Sequence, residues 1–203
     1  MTTLTSQQAL DKLLSGNSRF VSGKLTPHDF KERRGELVNT QQPIATVICC
    51  SDSRAPPEFI FDCTLGEIFV IRTAGGVMGT REFGSIEYAV THLKTPLVVV
   101  MSHTKCGACT AACTRQDAEK CTTCLDKLVD DLSSIAKECH KEIPATCIKS
   151  AFAHAASVEN DKTLVPLIEE GKCVIVPMLY DIDTGVASVL KDGGLGKHLL
   201  PED

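Results

Sequence analysis

Four short, almost uninterrupted apolar runs constrain the fold of this chain more than any other feature. They span residues 44–50, 68–73, 97–102 and 173–180. Apolar runs of this length, without alternation of polar and apolar residues, are typical of parallel strands that are covered on both faces. Between them, in residues 83–93 and 125–136, apolar side chains recur at helical spacing. The pattern predicts an α/β fold, with a mostly parallel central β-sheet flanked by helices in a single domain, residues 1–203.

Local signals predict where some of the helices begin. Thr5 is followed three residues later by Gln8, which is a capping-box arrangement at the start of an amphipathic N-terminal helix. Further along the chain, Pro144 and Pro166 fall within helical patterns, and we expect these prolines to interrupt them.

The charge balance limits the classes of partner. The chain has 21 Lys and Arg against 26 Asp and Glu, with a net charge of -5 and no block of basic residues. Because tight binding to nucleic acid depends on clustered positive charge, we expect no nucleic-acid partner. No apolar run approaches the length of a membrane span, and the N-terminus has neither a basic start nor a continuous apolar stretch. We therefore expect no membrane span, a cytoplasmic location and a small-molecule ligand.

The chain contains eleven cysteines, an odd number. Without a secretory signal, this count disfavours a disulfide framework and favours reduced thiols or metal ligands. A single cysteine is most often a small apolar residue of the core. A metal-binding cysteine can therefore be recognised only by its spacing from other ligand residues in the sequence.

The candidate functional residues follow two of the predicted strands, at the point where each strand ends. Cys50 is followed by Asp52 and Arg54, and a second strand leads into His103 and Cys106. The carboxyl ends of parallel strands share one edge of a sheet, which is where ligands bind in open α/β folds. In an extended segment, Cys50 and Asp52 point to the same side while the neighbouring cysteine points away.

Two cysteines and one histidine can hold a zinc ion and leave its fourth tetrahedral position for water, as in catalytic zinc sites. Arg54 can keep the Asp52 carboxylate ionised and oriented beside such a water. Taken separately, each motif has a simpler interpretation. His103 and Cys106 need not bind metal, and Asp52 and Arg54 are otherwise an ordinary ion pair.

Several motifs together resemble the β-class carbonic anhydrases. They are CSDSR at residues 50–54, HTKCGA from residue 103, GEIFVIRTAGG at residues 66–76 and YDIDTG at residues 180–185. The resemblance extends to the early LLSGNSRFVSG and covers nearly the whole chain.

This resemblance implies one zinc ion per chain, bound by Cys50, His103 and Cys106. It also implies that Asp52 and Arg54 form the catalytic dyad and that the reaction is the reversible hydration of carbon dioxide to bicarbonate. The implied assembly is a homodimer or a tetramer of dimers, with the N-terminal helical arm packed on a dimer partner.

The resemblance also implies a substrate pocket. Gln41, nine positions before Cys50, is similar to a glutamine that donates a hydrogen bond to bicarbonate in one subtype of the family. Phe69 and Tyr88 are similar to aromatic residues that line the apolar pocket, partly across the dimer interface. The backbone N–H of Gly107 is the second donor to bicarbonate.

Two alternatives remain open from the sequence. Relatives with this fold and the same metal ligands hydrolyse carbonyl sulfide or carbon disulfide. A different class is a redox or metal-regulatory protein that uses the remaining cysteines, because Cys106, Cys109 and Cys113 form one spaced set and Cys121 and Cys124 form a Cys-x-x-Cys pair.

Overall fold

The computed structural model describes residues 4–116 and 121–191. In this part of the chain, five strands form one sheet in the order β2-β1-β3-β4-β5. The strands are β1 Ala45–Cys50, β2 Ile68–Thr73, β3 Leu97–His103, β4 Val174–Tyr180 and β5 Ala187–Val189. The first four are parallel and β5 is antiparallel to β4. The predicted α/β class and mostly parallel sheet are therefore confirmed, and β5, which has only three residues, was not predicted.

Helices cover both faces of the sheet. They are α1 Ser6–Val21, α2 Phe30–Glu36, α3 Pro57–Ile60, α4 Thr80–Thr91, α5 Gly107–Thr114, α6 Cys124–Glu138, α7 Ile143–Glu159 and α8 Val165–Glu169, with a short 3₁₀ turn at Ala74–Gly76. Helices α1 and α3 pack on one face, and α4, α5, α6, α7 and α8 cover the other. Every residue of β1 is buried, which explains why its sequence shows no alternation. Within residues 4–116 and 121–191, every helix is too short or too polar to span a bilayer.

Helix α1 begins as its capping box predicts. The Thr5 side chain accepts a hydrogen bond from the Gln8 backbone N–H, and the Gln8 side chain accepts one from the Thr5 backbone N–H. Leu10 and Leu13 are buried against the sheet of their own chain. The contact of this helix with a dimer partner stays a prediction.

The expectation for the two prolines was wrong. Pro144 and Pro166 lie in the first turns of α7 and α8 instead of interrupting a helix. The first backbone N–H groups of a helix have no partner within the helix, so a residue without an N–H is tolerated there. The prolines therefore mark where two helices begin.

The register of the sheet brings the ends of β1 and β3 to the same edge. Cys49 of β1 lies opposite Met101 of β3, so Cys50 ends its strand beside the last residues of β3. The neighbouring side chains alternate, as predicted: Cys49 packs in the core on one face of the sheet and Cys50 lies with the helices on the other.

Candidate metal centre

Three side chains at this edge come together in a group that can hold a metal ion. Cys50 is the last residue of β1, His103 is the last residue of β3, and Cys106 is the residue that precedes α5. Their ligand atoms all lie within 4.8 Å of one another. All three residues are buried, with exposed fractions of 6%, 1% and 2%. In the described part of the chain, this is the only group of three or more such ligands.

The orientation of His103 favours a metal ligand. Its Nδ1 lies 2.9 Å from the carbonyl oxygen of Thr104, so Nδ1 carries the proton and donates a hydrogen bond to that carbonyl. The second ring nitrogen, Nε2, is then an acceptor that faces the two sulfurs. It is buried and has no hydrogen-bond partner in the structure. A buried acceptor without a donor is costly, and a bound cation would satisfy it.

The sulfurs of Cys50 and Cys106 are in hydrogen-bond contact, and this contact shifts the pKa values of the two thiols. Hydrogen bonds from Cys109 and Cys50 to the Cys106 sulfur lower the pKa of Cys106, and donation to Cys106 together with burial raises the pKa of Cys50. The two shifts have opposite directions because the Cys50 sulfur donates a hydrogen bond to the Cys106 sulfur. A divalent cation would allow both sulfurs to be thiolates, which is the state that binds zinc.

A tight turn supports the Cys50 sulfur. The backbone N–H of Gly75 donates to this sulfur at 3.2 Å, and the N–H of Asp52 donates at 3.4 Å. Gly75 has a φ of +70°, and a Cβ at this position would lie 2.8 Å from Cδ1 of Leu132 and 2.9 Å from Cβ of Ala108. Both the backbone conformation and the space require glycine here.

Asp52 and Arg54 form the ion pair that the sequence predicts, at the rim of the three ligands. The guanidinium donates to both carboxylate oxygens, from Nε to Oδ1 at 2.9 Å and from Nη2 to Oδ2 at 2.7 Å. The hydrogen bonds from Arg54 lower the pKa of Asp52 to about 2 against the opposing effect of burial. Oδ2 of Asp52 lies 3.9 Å from Nε2 of His103, so the carboxylate faces the metal ligands.

Arg72 is a further residue of the site that the sequence analysis missed. Its Nε donates to the carbonyl oxygen of Cys50 at 3.0 Å, and its Nη2 donates to that of Asp52 at 2.6 Å. One guanidinium thus fixes the backbone that carries both Cys50 and the Asp52 carboxylate. The available signal was a charged residue, Arg72, in the mostly apolar strand IFVIRT of β2.

Of the predicted pocket residues, Gly107 lies beside the three ligands. It is the first residue of α5 and directly follows Cys106. Its backbone N–H belongs to the first turn of the helix, where N–H groups have no partner within the helix. It is therefore placed to donate to an anion at this edge of the sheet.

The other three predicted pocket residues lie toward the amino end of the sheet. Phe69 is opposite Thr46, four residues before Cys50, which corresponds to roughly 13 Å along the strand. The rings of Phe69 and Tyr88 are 6.1 Å apart, and Tyr88 is 44% exposed. Gln41 is exposed and lines a cavity of about 530 Å³ that also includes residues just before β3. Within one chain, the structure does not bring these side chains to the metal ligands, and their roles stay predictions.

The remaining cysteines with notable spacing fall into two groups. Cys109 and Cys113 are buried on one side of α5, where they pack with Cys147 of α7. Packing in the core is the ordinary role of a cysteine, and Cys109 in addition donates a hydrogen bond to the Cys106 sulfur. Cys121 and Cys124 are exposed, and neither joins a group of three metal ligands among the described residues.

Comparison with known proteins agrees with this site. A family model described as carbonic anhydrase matches residues 45–187. A carbonic anhydrase of Mycolicibacterium smegmatis is 50% identical over 106 residues, which are 52% of this chain and 52% of that protein. The chain thus spans about half the length of the first mycobacterial relatives that it matches. A carbonic anhydrase of Pseudomonas aeruginosa is 31% identical over 173 residues, which are 73% of this chain and 74% of that protein.

Solved structures extend the comparison to the fold. A β-carbonic anhydrase of Aspergillus fumigatus superposes with a TM-score of 0.72 at 21% identity and covers 94% of both chains. A β-carbonic anhydrase of Sordaria macrospora, described as tetrameric, has a TM-score of 0.70 at 24% identity and covers 89% of this chain and 96% of its own. The chain therefore belongs to the carbonic anhydrase family and has the fold of the β class.

Proposed function

We propose that this chain is a zinc-dependent carbonic anhydrase, a lyase that catalyses the reversible hydration of carbon dioxide to bicarbonate and a proton. The observation that carries the proposal is the buried group of Cys50, His103 and Cys106, in which Nε2 of His103 has no partner. Relatives named carbonic anhydrase support the reaction and do not favour hydrolysis of carbonyl sulfide or carbon disulfide.

The donor set fits one zinc ion per chain. Two cysteine sulfurs and one imidazole nitrogen are ligands that zinc prefers, and three protein ligands are typical of catalytic zinc sites. When bound, zinc acts as a Lewis acid and makes water a good nucleophile near neutral pH. The protein contributes the ligands, the orientation of His103 through Thr104, and the N–H groups that support the Cys50 sulfur.

Asp52 orients the reacting water by accepting a hydrogen bond from it. Because its pKa is held at about 2 by the hydrogen bonds from Arg54, the carboxylate is ionised at neutral pH and can only accept hydrogen bonds. A water beside Asp52 then donates a hydrogen bond to the carboxylate and presents a lone pair to carbon dioxide; the new C–O bond forms as one C=O π bond opens, and the proton of the water is released to solvent. Arg54 holds the carboxylate through two parallel hydrogen bonds, which fixes its direction. The N–H of Gly107 is available to the anionic product.

We further propose that a second copy of the chain completes the substrate pocket with Gln41, Phe69 and Tyr88. In support, these side chains lie toward the amino end of the sheet, whereas the metal ligands lie at its carboxyl end. A homodimer or a tetramer of dimers would meet this requirement, and the Sordaria macrospora relative is described as tetrameric. The eleven free cysteines are typical of a reducing compartment and support a cytoplasmic location.

The test of the metal and the reaction uses three proteins. Wild type, Cys106→Ser and Cys139→Ser are analysed for zinc and for carbon dioxide hydration by stopped flow. Cys139 is a half-buried cysteine at the end of α6 and is the matched control. We expect Cys106→Ser to lose both zinc and turnover and Cys139→Ser to keep both. Full hydration activity in Cys106→Ser would refute the proposed site.

The test of the second copy is complementation between two inactive variants. If the pocket is built across the interface, a mixed dimer of Cys106→Ser and Gln41→Ala has one intact site. That site combines Cys106 from the Gln41→Ala chain with Gln41 from the Cys106→Ser chain. Because a two-fold interface exchanges the same surfaces, random mixing would restore about a quarter of the wild-type activity. If Gln41 acts within its own chain, mixing restores none, which would overturn this part of the proposal.

A further inference from the structure

Two exposed cysteines stand at the beginning of α6, away from the metal ligands. Cys124 is the first residue of the helix, and Cys121 precedes it by three residues. These are the exposed cysteines of the chain, while Cys139 is intermediate and the other eight are buried. The proposed hydration reaction uses neither of them.

The local structure folds Cys121 over the first turn of this helix. Oδ2 of Asp126 accepts hydrogen bonds from the backbone N–H groups of Thr122 at 3.0 Å and Thr123 at 2.8 Å. The Thr123 side chain in turn accepts from the N–H of Asp126 at 3.1 Å. The Cys121 sulfur consequently lies 3.9 Å from the carbonyl oxygen of Asp126, a residue of the same turn as Cys124. The Cys121 sulfur therefore lies against the first turn of α6, the turn that begins with Cys124.

A fixed positive charge distinguishes the two sulfurs. Nη2 of Arg115 donates to the Cys121 sulfur at 3.0 Å, and Nη1 of the same guanidinium donates to the carbonyl oxygen of Asp126 at 2.7 Å. The guanidinium is therefore anchored to the helix and directed at the sulfur. A guanidinium in contact with a sulfur stabilises the negative charge that the sulfur carries as it attacks a disulfide. Cys121 is accordingly the attacking residue and Cys124 the residue that resolves the product.

We propose that Cys121 and Cys124 form a thiol–disulfide exchange site for low-molecular-weight disulfides. The Cys121 thiolate attacks one sulfur of the small disulfide, a mixed disulfide forms, and one small thiolate leaves. The Cys124 thiolate then attacks the Cys121 sulfur, which closes the Cys121–Cys124 disulfide and releases the second small thiolate. Two protein thiols are oxidised and one small disulfide is reduced to two thiols, so the electrons balance.

The test uses the zinc-loaded full chain and the chromogenic disulfide 5,5′-dithiobis(2-nitrobenzoate). We expect rapid release of two equivalents of thionitrobenzoate from the wild type, which retains no label and loses the mass of two hydrogens. Cys124→Ser should release one rapid equivalent and retain one label on Cys121. Cys121→Ser should lose the rapid phase, and Cys139→Ser should keep it unchanged.

The arginine is tested separately. Arg115→Gln should slow the first exchange roughly fivefold, a modest effect because the contact is exposed. Arg115→Lys, which keeps the charge, should recover part of the rate. The unfolding midpoints of both variants in urea show whether the fold is retained. A wild type that keeps two labels, or a Cys121 that reacts no faster than Cys139, would overturn the proposal. Neither result bears on zinc binding or hydration, because no metal ligand takes part.

Discussion

Replacing Arg72 by glutamine tests how the site is held together. The guanidinium donates to the carbonyl oxygens of Cys50 and Asp52 at 3.0 and 2.6 Å. Each such bond from a charged donor contributes about 1.5–3 kcal/mol. The Asp52 carbonyl keeps a second donor, the N–H of Ala55 at 3.0 Å, so losing Arg72 does not leave it unsatisfied. The loss is therefore nearer to one full hydrogen bond than to two, about 2–3 kcal/mol.

The lost hydrogen bonds lie in the segment that carries Cys50, the proposed metal ligand, and Asp52, the proposed catalytic carboxylate. Second-layer partners of metal ligands typically contribute 10- to 100-fold to metal affinity or activity, which is about 1.4–2.7 kcal/mol and overlaps the estimate of about 2–3 kcal/mol. We therefore expect Arg72→Gln to weaken zinc binding about 10- to 100-fold and to lower the turnover of zinc-saturated protein. Arg72→Lys should have an intermediate zinc affinity and turnover. Lysine keeps the positive charge, but its ammonium group cannot reproduce the planar pair of N–H donors by which the guanidinium binds both carbonyl oxygens.

The assay is competition for zinc against a chromophoric chelator, followed by stopped-flow hydration at saturating zinc. Arg81→Gln is the matched control, since Arg81 is an exposed arginine of the neighbouring helix α4. Circular dichroism confirms that each variant is folded. If folded Arg72→Gln binds zinc and turns over substrate like Arg81→Gln, the inferred role of Arg72 is wrong.

Three further predictions concern stability. Gly75→Ala should lower the free energy of unfolding by about 2–4 kcal/mol, because the positive φ and the two contacts below 3.0 Å both oppose a side chain, and calorimetry measures this. Asn17→Ala should lose about 3 kcal/mol in urea unfolding, since its amide bonds to Ile60, Gly185 and Ala187 inside the protein, and the control Ser18→Ala should change little. Burial raises the pKa of Asp62, but hydrogen bonds from Arg19 and Thr26 outweigh it and leave the pKa below its ordinary value. The stability that Asp62 contributes is therefore present above about pH 4 and lost as the pH falls through the lower folded pKa. The difference in urea midpoint between wild type and Asp62→Asn should shrink from pH 7 to pH 3, and a constant difference would contradict this assignment.

The group of Cys50, His103 and Cys106 could be predicted because the strand pattern and the family resemblance point to the same residues. Buried parallel strands have continuous apolar sequences and their carboxyl ends share one edge of the sheet, so Cys50 and His103 were expected to lie near one another, and the family resemblance then identified them as ligands. The role of Arg72 could not be predicted in this way. Its position in β2 follows from the sequence, but the direction of its long side chain depends on where the backbone of residues 50–52 lies. Likewise, a proline in a helical pattern is compatible with an interruption of the helix and equally with its first turn, which is where Pro144 lies in α7.

The predicted pocket residues show a deeper limit of sequence reasoning. Gln41 lies nine residues before Cys50 in the sequence. Most of these residues form the extended strand β1, so the two side chains are far apart in space. Strand β1 runs from Ala45 to Cys50, so it places the two residues toward opposite edges of the sheet, roughly 16 Å apart along the strand alone. A side chain cannot cover that distance, and no local rearrangement that keeps the sheet shortens it. If Gln41 binds the same substrate as the metal centre, it therefore does so from another copy of the chain, and the quaternary structure becomes part of the catalytic site.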